Sequence, residues 1–175
     1  MVRTIAYRRY SLSVIDPKLT EQLMQFLSNS KRVAILGIGN DLRTDDGIGP
    51  FVVENLQTNN DNVLIEDVGS VPEAFTKRVS EFGADRVILI DAADMRKPVG
   101  HIELVTKDRI GGIAISTHSM PLSLLMEYLE QQTDAQTILI GIQPQNIQFG
   151  DRMTPELKLI GKKLISMIDS ILKTY

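Results

Sequence analysis

From Arg32 onward the chain alternates short, unbroken apolar runs with stretches whose apolar residues recur at helical spacing. This alternation narrows the possible folds more than any single motif. RVAILGIG, NVLIEDVG, DRVILIDA and QTILIGIQP read as strands. A strand that is apolar at odd and even positions alike must be buried on both faces, as in a parallel sheet covered by helices. GIGPFVVENLQT, PEAFTKRVSEF, MPLSLLMEYLEQQ and the long C-terminal TPELKLIGKKLISMIDSILKTY read as helices, with Pro72 and Pro121 near two of the starts. HIELVT is shorter and alternates in character, which suits an edge strand. The expected class is α/β: a single-domain three-layer α/β/α sandwich around a mostly parallel sheet.

A length of 175 residues suits one domain with a real core. Residues 1–31 read as an N-terminal extension plus a helix, and 32–175 as the main domain. In the helix Asp16 is expected at the N-cap and Pro17 at the first helical position, with Leu19, Leu23, Phe26 and Leu27 on one face. Lys and Arg total 19 against 22 Asp and Glu, so a nucleic-acid partner reached through a basic surface is not expected. The absence of cysteine excludes disulfides, thiolate metal sites and cysteine nucleophiles. No apolar stretch approaches a membrane span, and the first residues lack a signal-peptide apolar segment, so a cytoplasmic location is expected.

In open α/β sheets ligands collect at the carboxyl ends of the strands. The first strand here ends in GIGNDLRTDD, the second at Glu66-Asp67, the third at Asp91 with Asp94 close behind, and the last at Gln143; His118 follows the apolar GIAI. The glycine loop invites a phosphate reading. However, the third glycine of a dinucleotide fingerprint would fall at Leu42, no Gly-Lys-Ser/Thr is present, and Asp45-Asp46 would repel a phosphate. A nucleotide site built on Gly37, Gly39 and Asp67 remains an alternative. Carboxylates with an imidazole suit a divalent cation better. Plainer roles exist for each residue: Asp45 or Asp46 as a helix cap, Asp91 bonded to backbone amides in a turn, and His118 as an ordinary histidine at a helix start.

Five blocks carry a wider likeness: LGIGNDLRTDDGIGP (36–50), DVGSVPE (67–73), ILIDAADM (88–95), STHSMPLSLL (116–125) and GIQPQNIQFG (141–150). With them the chain resembles the hydrogenase maturation endopeptidases, which trim the C-terminus of the large subunit of nickel–iron hydrogenases. The wording is most similar to the hydrogenase 3-type branch. The resemblance implies a metal-contacting set of Asp46, Asp91 and His118. It implies nickel that arrives on the substrate's own cysteines, a large-subunit precursor as partner with nickel-insertion proteins beside it, and no nucleotide. Asn40, Gln143 and Phe149 are expected to meet the substrate. Without a cysteine, a G-x-S-x-G elbow or an H-E-x-x-H helix, two mechanisms stay open. Either Asp46 or Asp91 activates a water as general base, or a metal held by Asp46, Asp91 and His118 polarises water and carbonyl. A docking protein that reads the nickel state without cutting is a further alternative.

Overall fold

The computed structural model describes residues 15–110, 121–150 and 152–175. Five strands form one sheet: β1 (Val33–Ile38), β2 (Val63–Gly69), β3 (Arg86–Ala92), β4 (Ile102–Val105) and β5 (Gln136–Ile142). Their order is β2-β1-β3-β5-β4, parallel except for β4, which pairs antiparallel to β5 at the edge. The four runs read as strands are the four parallel ones; β1, β3 and β5 are buried along nearly their whole length, whereas β2 lies at one edge and is partly exposed, and the alternating HIELVT forms the other edge.

Successive strand residues point to opposite faces, and each face meets its own helices. Val33, Ile35, Ile88, Ile90 and Ile140 pack against α1 (Pro17–Leu27), α2 (Ile48–Asn55) and α6 (Pro155–Leu172). Ala34, Leu36, Val87, Leu89 and Leu139 pack against α3 (Thr76–Phe82), α4 (Lys107–Ile110) and α5 (Leu122–Thr133). The three-layer sandwich is therefore present. The helix starting at Pro17 belongs to the same core, burying Leu19, Leu23 and Leu27, and the Asp16 carboxylate accepts from the Lys18 amide as its N-cap. Among the described residues no helix is long and apolar enough to cross a membrane.

Two corrections concern helix starts. The stretch read as a helix from Pro72 begins as a 3-10 turn, Pro72–Phe75, before α3. A second 3-10 turn, Thr44–Gly47, precedes α2. The N-cap position of α2 is Gly47, and the Asp45 carboxylate is bonded to the amides of Gln145, Asn146 and Thr154 instead of to this helix start. The plainer capping role considered for Asp45 is thus overturned.

Candidate active site

Strand β2 returns on one side of β1 and β3 on the other, so the sheet has its topological switch point between β1 and β3. A crevice forms where the two departing connections diverge, outside the carboxyl ends of those strands. Asp46 follows β1, and Asp91 is the next-to-last residue of β3. Both are buried, at 1% and 0% exposure. Asp91 sits inside the strand opposite Gly141 of β5.

Glycines let the turn close onto the sheet. A Cβ on Gly49 would stand 2.1 Å from the Ile38 carbonyl oxygen and 2.4 Å from that of Ile90. The first turn of α2 therefore rests on the backbone ends of β1 and β3. This brings Asp46, one helical turn before Gly49, and Asp91, beside Ile90, to the same crevice. Gly39 adopts φ +146°, and a Cβ there would lie 1.9 Å from the Asp46 carbonyl oxygen. Any other residue would meet both a backbone penalty and a collision.

Asp45 faces the other way. Its fully buried carboxylate accepts three backbone amides from a loop about a hundred residues later: Gln145 at 2.9 Å, Asn146 at 3.0 Å and Thr154 at 2.8 Å. Around it the two segments are laced together. The Thr44 amide donates to Gly150 O at 3.0 Å, the Gly150 amide to Leu42 O at 2.9 Å, and the Asp45 amide to Asn146 O at 3.0 Å. Arg43 donates through Nε to Ile147 O at 3.2 Å, and its guanidinium carbon lies 5.0 Å from the centre of the Phe149 ring. Phe149 is 78% exposed. The residues between the buried acids and this loop were not singled out in the sequence, because their partners lie far along the chain and Thr44 and Arg43 carry no motif.

The remaining expected residues fall as follows. Asn40 is half-buried, accepts the Leu42 amide at 3.0 Å, and lines a cleft of about 400 Å³ shared with Gly39, Thr44, Phe51, Asp67 and Met153. Asp46 and Asp91 do not line that cleft, which opens on the flank of their turn. Gln143 is buried and its amide is committed to the loop after β3. Oε1 accepts from Met95 N at 2.7 Å and Lys97 N at 3.2 Å, and Nε2 donates to Asp94 at 3.2 Å. Its bonds make it a brace for that loop. The exposed Asp94 is held below the usual carboxylate range, first by the Arg96 amide and then by Gln143. Asp67, the acid of the nucleotide alternative, is exposed and accepts the Gly69 amide at 2.9 Å. His118 lies outside the described residues. Among the described residues no three Asp, Glu or His side chains are grouped closely enough to hold a metal ion.

The fold is an α/β sandwich with two buried acids, Asp46 and Asp91, near the strand ends at its switch point. A family model, HycI: Hydrogenase maturation protease, matches residues 50–171. The hydrogenase 3 maturation protease of Escherichia coli strain K12 is 32% identical over 126 residues, covering 71% of this chain and 80% of the relative. The crystal structure of a [NiFe] hydrogenase maturation protease HycI from Thermococcus kodakarensis KOD1 superposes with a TM-score of 0.79 at 31% identity, covering 87% of this chain and 99% of that one. The solution structure of an endopeptidase HycI from Escherichia coli gives 0.71 at 29% identity, over 79% and 90% of the two chains. The chain belongs to the hydrogenase maturation proteases, and it is a peptidase.

Proposed function

We propose that this protease removes the C-terminal peptide of a [NiFe]-hydrogenase large-subunit precursor, in the cytoplasm, once nickel is in place. The observation that supports the reading is the burial of two acids, Asp46 after β1 and Asp91 near the end of β3, at the two strands that flank the switch point. A carboxylate within reach of the scissile bond can act as general base. It takes a proton from water as the water oxygen bonds to the scissile carbonyl carbon. The same proton then passes to the departing amide nitrogen as the carbon–nitrogen bond breaks.

Nickel enters as part of the substrate, held by the precursor's own cysteines. Carboxylate oxygens with an imidazole nitrogen suit a borderline divalent ion, so Asp46, Asp91 and His118 would contact it. Nickel-insertion proteins would act just upstream.

The test is to incubate the protein with purified precursor, with and without nickel, and to follow the precursor's intact mass. Loss of a C-terminal fragment in the nickel-loaded sample alone is expected. Cleavage in both samples would remove the nickel requirement. Cleavage in neither would favour the non-catalytic docking alternative.

A further inference from the structure

The Asp45 carboxylate has no part in the chemistry just described, yet it is fully buried and binds three backbone amides of one loop. The segment it binds leads away from β5, past Phe149, to the start of α6. On its other side Asp45 is covalently joined to Asp46. Its own amide donates to Asn146 O, and its neighbour Thr44 donates through its amide to Gly150 and through its hydroxyl to Asn146 O. Residues 43–45 and 145–150 are thereby fastened as one body, with Arg43 lying under the exposed Phe149 ring.

We infer that Asp45 is a positioning residue: it fixes the loop that offers Phe149 to the precursor against the turn that carries Asp46. Docking and the reacting carboxylate then keep a constant relation. The inference rests on the protease reading for its kinetic consequence, though not for its structural one. A carboxylate is required because both of its oxygens accept: Oδ2 takes Gln145 and Asn146, and Oδ1 takes Thr154. An asparagine, in either orientation, turns its NH2 group toward at least one backbone N–H. Asp45→Asn should therefore release the loop while keeping side-chain volume.

Two measurements test this. The first is hydrogen exchange on the free protein, which needs no precursor. In Asp45→Asn the amides of Gln145, Asn146 and Thr154 should lose protection while those of β3 and β5 keep it. The second is precursor cleavage. Asp45→Asn should raise KM about tenfold, about 1.4 kcal/mol, with kcat changed by no more than about threefold. Combined with Phe149→Ala, its effect on kcat/KM should fall well short of the product of the single effects, because a released loop no longer presents the ring. Unchanged exchange at the three amides would overturn the proposal. So would a fall in kcat at constant KM, or independent effects that simply multiply. If Asp45→Asn does not fold, Thr154→Pro serves instead. It deletes one of the three N–H donors at a residue whose φ of −61° already suits proline. If wild type cleaves nothing, the protease reading fails, and the exchange result alone decides whether Asp45 holds the loop.

Discussion

Gly37 and Gly49 meet backbone to backbone: a Cβ on Gly37 would stand 2.5 Å from the Gly49 carbonyl oxygen. This contact, with those of Gly49 to Ile38 and Ile90, seats α2 on the strand ends. Alanine at 49 would improve helix propensity by up to about 1 kcal/mol. Against that, the new methyl would press on three backbone atoms of β1 and β3, which cannot swing aside as a side chain can. Overpacking of this kind costs about 1–3 kcal/mol or more. Gly49→Ala should therefore lower the melting temperature, by about 2–4 °C for each kcal/mol of net cost at this chain length. A melting temperature equal to or above wild type would show that α2 rides higher than described.

Asp91→Asn should keep the fold and abolish precursor processing. The side chain is wholly buried in the central strand, and asparagine fills the same space. Asparagine also keeps one acceptor oxygen and the side-chain shape, so the variant should remain folded. Thermal denaturation and cleavage on the same sample decide it. A folded variant that cuts at the wild-type rate removes Asp91 from the reaction.

Why some of this was legible in the sequence and some not follows from the range of the interactions. The parallel strands announce themselves because burial on both faces leaves continuous runs such as VAILGI and RVILIDA. The Asp16 cap and Pro17 start are contacts between residues two or three apart. The positions of Asp46 and Asp91 at strand ends were readable because a strand's carboxyl end is a place that sequence defines. Asp45 was not, since its partners lie 100 to 109 residues away and a local reading could only take it for a cap. Gln143 was placed at the right strand end, but its bonds to Met95 and Lys97 depend on how the loop after β3 folds back. The four-residue α4 is too short to show a helical period.

Phe149→Ala should weaken precursor affinity while leaving thermal stability nearly unchanged. At 78% exposure the ring buries little, and its stacking with Arg43 is worth about 0.5–1 kcal/mol at an exposed site. A core phenylalanine would cost about 3–5 kcal/mol. A drop of that larger size, with normal affinity, would refute the docking role.

The last prediction concerns pH. Glu130 of α5 bonds the Lys107 ammonium of α4 and accepts both the amide, at 3.1 Å, and the hydroxyl, at 2.7 Å, of Thr137 in β5. It thus ties together the two helices that flank residues 111–120. Partial burial by itself would raise its pKa, but the bonds from Lys107 and Thr137 and the lysine charge outweigh that and leave it below the usual glutamate value. Lys107 moves the opposite way, raised chiefly by its bond to Glu130. Because folding favours ionised Glu130, its contribution is complete above the unfolded value of about 4.3 and is lost as pH falls through the lower folded value. The Lys107 contribution is complete below about 10.4 and is lost as pH rises through its raised value. Glu130→Gln should therefore melt below wild type across the neutral range, with the gap shrinking under acid and again at strongly basic pH. Melting temperatures of both proteins, taken at intervals from acid to alkaline pH, read this directly. A gap that stays constant with pH would mean that Glu130 acts through its shape and neutral hydrogen bonds, and not through its charge.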